Sequence, residues 1–546
     1  MYDKIFNFET KTINKAAIIL AVSSLVSGIL GLFRDRLLAG TFGAGDDLDV
    51  YYAAFRIPDF VAMVLIMGSI SAAIIPLFSE YVARSKEEAW HFFANLLNSF
   101  LLFLTIISII MIIFVPQILR FIVPGFSGDK LDTAVSLTRI MFLSPILLGL
   151  SNIVSGVLRV LKRFLVTSLS PILYNLGIIF GIVFFVPRFG LQGLAWGVVF
   201  GAFLHLLIQV PIILKLGFKP KRVLDFSHPG LMQAVKLTLP RTLGLAASQI
   251  NLIVITAIGS TLSAGSIAVF NLANNLQNLP VTFIAASFST AAFPFLALYF
   301  SNKENNKLVA EFLGVMRQII FFLMPISLLM FLLRAQIIRI VFGTGKFAWA
   351  DTQLTAACLG LFSIGIFAYG LTLLVSKTFY ALHDTKIPAF VALLSIGINV
   401  ALSFFFLWIL SFGNIFQDYL TRFLDIENIE GNVVVGLPLA LSISGIIQLA
   451  LLLIFLHNKL GGIKIGEALD FCFRVLLSLF VLALTVIAVL KIVAGFVDMR
   501  TFVGVLLQTS IASVLGLGMY FASALVFRIK EVFALRRYVF RRTNGI

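Results

Sequence analysis

The stretch Ser27-Gly28-Ile29-Leu30-Gly31-Leu32-Phe33-Arg34-Asp35-Arg36 closes the first long apolar segment, and the small-residue turn Phe42-Gly43-Ala44-Gly45 follows it. Behind the turn stand Asp46, Asp47 and Asp49, then Tyr51, Tyr52 and Ala54-Phe55-Arg56-Ile57-Pro58. The other apolar segments are nearly free of ionisable groups. A charge at bilayer depth costs roughly 2.5–3.5 kcal/mol on insertion scales, so it tends to face protein or a watery cavity. The plain alternative is that Arg34 and Arg36 snorkel from a helix end to lipid headgroups. Position alone does not separate the two readings.

Composition decides the class. Of 546 residues 60% are hydrophobic and 12% charged, and mean hydropathy is +1.05. Soluble domains average about 25% charged residues, and long apolar runs mark membrane spans. An all-α polytopic membrane protein follows. In a soluble chain the net charge of +16 would point to nucleic acid; here it fits loops facing an anionic leaflet, and no nucleic-acid partner is expected. Cys358 and Cys472, both inside apolar segments, offer no disulfide or metal framework. Met1 to Lys15 is mixed and polar, and no cleavable leader is expected.

Spans of 20 or more apolar residues number about fourteen. They lie near 13–40, 50–80, 91–119, 131–160, 166–187, 191–214, 230–259, 264–299, 309–333, 350–380, 386–410, 433–457, 467–493 and 501–527. Lys and Arg collect in alternate connections: Lys4, Lys11 and Lys15; Arg84 and Lys86; Arg159, Lys162 and Arg163; Lys215 to Arg222; Lys303 and Lys307; Lys377 and Lys386; Lys459 and Lys464; and the tail. The positive-inside rule then puts both termini in the cytoplasm and the acidic 411–432 loop outside.

The chain also repeats itself. Ser69-Ile-Ser71-Ala-Ala73-Ile-Ile-Pro76 returns as Ser287-Phe-Ser289-Thr-Ala291-Ala-Phe-Pro294, and Gln117-Ile-Leu-Arg120 as Gln336-Ile-Ile-Arg339. Leu137-Thr138 and Pro171 return as Leu354-Thr355 and Pro388, each match about 218 residues on. Even span numbers give both copies one orientation, so two six-helix lobes related by a parallel pseudo-two-fold repeat are expected. The divisions expected are an N-lobe over 1–214, a cytoplasmic linker over 215–229 and a C-lobe over 230–458. Two additional C-terminal helices over 459–527 and a basic tail over 528–546 complete the chain. Such lobes rock about a central site, with Pro58 and Pro280 as hinges. The turn 41–49 with Gly43 and the equivalent turn 259–266 with Gly265 would form the outer gate, since small residues permit close backbone approach.

The residues of the opening stretch resemble the MurJ/MviN family of lipid II flippases, within the wider multidrug/oligosaccharidyl-lipid/polysaccharide exporter superfamily. The likeness rests on Arg34-Asp35, Gly43-Ala44-Gly45 with Asp49, and Ala54-Phe55-Arg56-Ile57-Pro58. It extends through Glu80-Tyr81, Pro124-Gly125-Phe126, Arg163-Phe164, Ser248-Gln249-Ile250, Gly345-Lys346-Phe347 and Asp384-Thr385-Lys386 with Pro388. The chain departs from the family where charged cavity residues fall on Gly28, on Ala62 or Met63, on Met67, and on Asn274-Asn275 and Asn278. Arg241, beside Pro240, and Arg139 remain as cations, and Arg241 is read as standing in for the missing C-lobe arginine.

The resemblance implies a flippase that carries a polyprenyl-pyrophosphate-linked saccharide from the cytoplasmic to the outer leaflet of the inner membrane. Its partners are that substrate, membrane lipids and a coupling ion (Na+ or H+) or the membrane potential. A pyrophosphate cannot cross hydrocarbon bare. Arg34, Arg56 and Arg241 suit it because the guanidinium fork donates to two phosphate oxygens at once, and Asp35 or Asp49 would hold an arginine in place and favour release. Asn271, Asn274, Asn275 and Asn278 share one helical face, as interhelical glue or as a lining for sugar hydroxyls. The histidines are scattered and no Gly-x-x-x-x-Gly-Lys-Ser/Thr loop occurs, so no metal, cofactor or ATPase domain is expected. The rivals are another exporter of the superfamily and, with less support, a membrane glycosyltransferase, for which the 411–432 loop lacks histidine.

Overall fold

Apolar side chains all round a segment leave the chain one economical answer to hydrocarbon: satisfy each backbone group within a helix. The computed structural model describes residues 13–64, 74–461 and 465–532, with backbone alone at 13–18, 239–248 and 465–469, and it shows helices and no strand among them. Eleven helices are long and apolar enough to cross a membrane among the described residues. These coincide with eleven of the expected spans. The other three fall on the helix Ile13–Phe42, on Asp46–Ala62 and Ile75–Arg84 to either side of undescribed residues, and on Pro229–Ser260. Met67 and most of the Ser69–Pro76 repeat lie outside the described residues.

Contacts divide the chain into two compact units, residues up to Ala268 with Gly345–Phe347, and Val269–Thr344 with Ala348 onward. The first unit holds α1 (Ile13–Phe42), α2 (Asp46–Ala62), α3 (Ile75–Arg84), α4 (Lys86–Ile122), α5 (Gly128–Met141), α6 (Leu143–Val160), α7 (Phe164–Phe180), α8 (Leu191–Leu207), α9 (Val210–Lys215) and α10 (Pro229–Ser260). The helices α7 and α8 cross at glycines. A Cβ at Gly177 would strike Gly201, one at Gly181 would strike Gly197, and one at Gly193 would strike the Phe185 carbonyl. Without a hydrophobic drive between helices in lipid, such close backbone approach supplies the packing. In the same unit Phe78, Phe92, Phe93 and Phe218 form a buried aromatic core with Trp90 against it. Asn95 and Asn98 on α4 pin the 215–229 connection: the Asn95 amide donates to the Asp225 carbonyl at 2.8 Å and accepts its N–H at 2.8 Å.

The second unit holds α11 (Ser266–Pro280) from Val269 on, and α12 (Ala286–Ser301), α13 (Asn305–Leu332), α14 (Arg334–Phe342), α15 (Trp349–Ala381), α16 (Lys386–Leu410), α17 (Ile415–Leu424), α18 (Gly436–Lys459), α19 (Ile465–Ala494) and α20 (Phe502–Val526). Of its spans α15 is the innermost, 72% buried over its most apolar stretch against 28% for the stretches of α19 and α20. The last two helices pack as a pair on α13, where the buried Tyr520 hydroxyl donates to the Phe321 carbonyl at 2.9 Å. Asp384, in the turn between α15 and α16, receives the first two N–H groups of α16 and pairs with Lys459 at the end of α18. The Lys459 ammonium, before the backbone N–H groups, holds the Asp384 carboxyl below its ordinary value. That contribution to stability is present above the ordinary carboxylate range and is lost as pH falls through the lowered value.

Two prolines end in π turns. Pro280 closes α11 and a π turn over Val281–Ala285 follows; after Pro58 the helix α2 passes into π geometry at 63–64. A proline removes one backbone donor and crowds the preceding turn, which explains the local rewinding.

Leucine at Gly197 should drive α7 and α8 apart at a cost of about 1–3 kcal/mol, as overpacking does. A thermal unfolding scan in detergent checks this: a clear fall of the midpoint is expected, and an unchanged midpoint would show that the crossing does not hold the unit.

Candidate functional site

Arg34 and Asp35 sit side by side on α1, with Asp35 only 2% exposed and the Arg34 side chain 23% exposed. The Arg34 Nε and Nη2 both donate to Asp35 Oδ1, at 2.9 and 2.7 Å. Nη1 donates to the Asn175 side-chain oxygen on α7 at 3.1 Å. The Asn175 amide nitrogen in turn donates to the Ser27 carbonyl at 3.3 Å, the Ser27 hydroxyl at 3.2 Å and the Pro171 carbonyl at 3.2 Å. The Pro171 carbonyl lies one turn back along α7, four residues before Asn175, within reach of its side chain. A guanidinium carries five N–H donors in a fixed fork, and these bonds commit three of them. The arrangement therefore fixes a cation inside the protein while leaving donors for an anion. It does not snorkel.

Asp49 lies elsewhere. Its carboxylate, 2% exposed, accepts from the Gly265 N–H through Oδ2 and from the Ala268 N–H through Oδ1, both at 2.8 Å. These are donors at the N-terminus of α11, where backbone groups lack helical partners and the helix dipole favours an anion. Lys130 stands 3.8 Å from Asp49 and 2.5 Å from Asp46, with its ammonium 4.2 Å above the Phe126 ring. Gly265 has φ +84, and a Cβ on it would strike the Ala44 carbonyl. Gly125 donates to the Ser260 hydroxyl at 3.2 Å, and Lys346 donates its N–H to the Gly40 carbonyl at 2.8 Å. The turns 43–46, 123–128, 260–266 and 345–347 are thus tied together at one end of the first unit, and Gly43 and Gly265 belong to that cluster.

Of the other expected site residues, Arg56 on α2 donates from Nε to the Thr256 hydroxyl on α10 at 2.8 Å. Thr256 passes its own proton to the Leu252 carbonyl at 2.8 Å. The side chain of Arg241 lies outside the described residues. On α11, Asn271 is buried, Asn274 and Asn275 are half-buried and Asn278 is exposed, so one face grades from interior to open. Gln277 donates to Asn274 at 2.8 Å. Arg139 donates from Nε to the Ile112 carbonyl at 3.3 Å and is apart from these groups.

Sequence reading missed Asn175, Thr256 and the role of Lys130. A lone amide in the apolar segment 166–187 was the available signal for Asn175; Thr256 and Lys130 gain their roles only through packing. No group of three or more His, Cys, Asp or Glu side chains suited to a metal occurs among the described residues.

Alanine at Gly265 should strain a left-handed backbone position and push the Ala44 carbonyl away. The maleimide labelling rate of an Ala44→Cys reporter in purified protein should then rise, and an unchanged rate would show that the two turns do not depend on this contact.

A family model described as the lipid II flippase MurJ matches residues 38–509. A probable lipid II flippase MurJ of Buchnera aphidicola subsp. Acyrthosiphon pisum is 32% identical over 392 residues, covering 70% of this chain and 76% of that protein. The lipid II flippase MurJ of Burkholderia cenocepacia is 27% identical over 390 residues, 69% of this chain and 75% of that one. A solved lipid II flippase MurJ in an inward closed conformation superposes with a TM-score of 0.74 at 26% identity, over 94% of this chain and 99% of the other. An inward-facing multidrug transporter of the MATE family shares the fold, with a TM-score of 0.66 at 15% identity over 82% of this chain and 99% of that one. With a model match across most of its length, relatives at this identity and helices placed as theirs are, the chain belongs to the lipid II flippase MurJ family of multi-pass membrane proteins.

Proposed function

We propose that this chain moves lipid II across the inner membrane, from the cytoplasmic to the outer leaflet, by alternating access. The observation that carries the reading is the Arg34–Asp35–Asn175 group. It is a guanidinium held by a buried carboxylate and an amide, with two N–H donors uncommitted among the described residues, in a largely apolar helix. Transport of this kind requires a cation able to replace the water that a pyrophosphate gives up, yet release it afterwards. Asp35 supplies the release: its negative charge beside the guanidinium weakens the hold on a phosphate taken by the other donors. The reaction is movement, with no bond made or broken, and the family is one of transporters rather than of catalysts.

Arg56 is a second cation near the path, held by Thr256, and Arg241 is a third. The α11 face from Asn271 to Asn278 offers amide donors and acceptors to sugar hydroxyls. The cluster of turns around Asp49 is the closed outer gate, and the π turns after Pro58 and Pro280 are where α2 and α11 bend as it opens. Both termini and the 215–229 connection face the cytoplasm, with the 411–432 loop outside. A coupling ion or the membrane potential biases the cycle.

In cells that depend on this protein, Arg34→Ala should abolish export of the lipid-linked precursor while the protein remains in the membrane, and Asp35→Asn or Asp49→Asn should weaken it. Normal export by Arg34→Ala would overturn the phosphate-clamp reading. A disulfide between cysteines placed at Gly43 and Gly265 should stop transport and release it on reduction; full activity in quantitatively crosslinked protein would rule out this gate. A cysteine within 411–432 should label from outside intact cells and one within 215–229 should not, the reverse pattern contradicting the orientation.

A further inference from the structure

Helix α17 follows α16 after a four-residue link and turns a second apolar face away from the protein. Its inner side is docked: Thr421 and Leu424 are buried, and Ile426 just beyond is fully so. The Arg334 guanidinium donates to the Phe423 carbonyl at 3.1 Å, and Gln353 donates to the Asp425 carbonyl at 3.0 Å. The angle at which α17 leaves the span is set by Asn414. Its side-chain oxygen accepts the Gln417 N–H at 2.9 Å, capping α17, while its amide nitrogen donates to the Ile409 carbonyl at 2.5 Å, closing the end of α16.

On a helix of 3.6 residues per turn, Ile415, Tyr419 and Phe423 line up at intervals of four, with Phe416 beside them. Ile415 is 79% exposed, Tyr419 76% and Phe423 59%. The charged pair Asp418 and Arg422 borders this face along its Ile415 edge, and Arg422 reaches Glu427 at 2.8 Å. The face is thus apolar, aromatic and distinct from both the docked and the charged sides. It also continues an established surface. Phe405 and Trp408 are exposed on the last turns of the span α16 and Phe412 in the link after it, with Trp408 and Phe412 in edge-to-face contact at 5.6 Å.

We infer that α17 is an interfacial anchor: the face of Ile415, Phe416, Tyr419 and Phe423 lies in the headgroup–acyl boundary of the leaflet at that end of α16, with Asp418 and Arg422 toward water. The chemistry matches. Amphipathic helices with aromatic and aliphatic faces bury about 5–10 Å into this boundary, and Trp and Tyr concentrate there because one end of each ring is apolar and the other wet. A short link fixed by Asn414 leaves the helix no room to leave the membrane surface. Through Arg334 and Gln353 the anchor would hold the ends of α14 and α15 at the depth of the lipid boundary.

The test uses full-length protein carrying Cys358→Ala and Cys472→Ser, with one cysteine at Tyr419, Phe412 or Asp418 bearing an environment-sensitive nitrobenzoxadiazole. The protein sits in nanodiscs of phosphatidylethanolamine and phosphatidylglycerol. At Tyr419 and Phe412 the emission should shift to the blue. It should lose more intensity to lipids spin-labelled high on the acyl chain than to lipids labelled near its end, and be shielded from iodide. At Asp418 iodide should quench freely. Iodide quenching at Tyr419 and Phe412 equal to that at Asp418 would overturn the inference, leaving a solvated face. Shielding from iodide without lipid quenching, or disulfide dimers through Tyr419→Cys, would overturn it in favour of a protein partner or a second copy.

Discussion

An ionised group within a bilayer must be answered by other protein groups, and the first unit is arranged around two such answers. Arg34 cannot stand on an apolar helix without Asp35, and the pair cannot be held without an amide from a neighbouring helix. Removing one partner of a buried ion pair costs about 3–5 kcal/mol, mostly the penalty of the charge left behind. Asn175 therefore ties α1 to α7 through the same bonds that position the guanidinium. Asp49 meets its need differently, by taking the unfilled N–H groups at the start of α11. One carboxylate serves an arginine and the other a helix end, and each brings distant segments together.

Those two solutions divide the labour of a carrier. A cation with spare donors suits a phosphate that must lose its water, and a carboxylate on a helix N-terminus suits a joint that closes and opens. Backbone N–H groups at a helix start can be returned to water at little cost, whereas a buried charge pair cannot. The glycines at 43, 125, 265 and 345 matter because three of the four meet backbone directly: Gly125 faces Ser260, Gly265 faces Ala44 and Gly345 faces Gly40.

Much of this was legible beforehand because hydrocarbon removes alternatives. Apolar length reported the helices, and the rarity of charge made Arg34-Asp35 stand out. The small residues of 41–49 and 259–266 marked two turns able to meet, and the structure does bring them together. What escaped was set by packing. Asn175 is one amide among apolar neighbours, and nothing local says that it reaches Ser27 and Arg34. Thr256 reads as an ordinary helix residue until Arg56 arrives beside it. Asp49 was read, as an alternative to Asp35, as a holder of an arginine; its carboxylate accepts from Gly265 and Ala268. Helical spacing put Asn271 to Asn278 on one face, but the grading of its burial comes only with packing. The amphipathic α17 was passed over as an acidic loop, since its charges are adjacent in sequence while its apolar stripe appears only at helical spacing.

The most direct measurement places the purified protein in liposomes with fluorescent lipid II in the inner leaflet, and with a cationic drug enclosed in a parallel set. The account predicts that lipid II reaches the outer leaflet at a rate that falls to the protein-free background with Arg34→Ala, and that the drug stays where it was. Drug efflux with no movement of lipid II would contradict it, and would make this chain an exporter of another substrate built on the same fold.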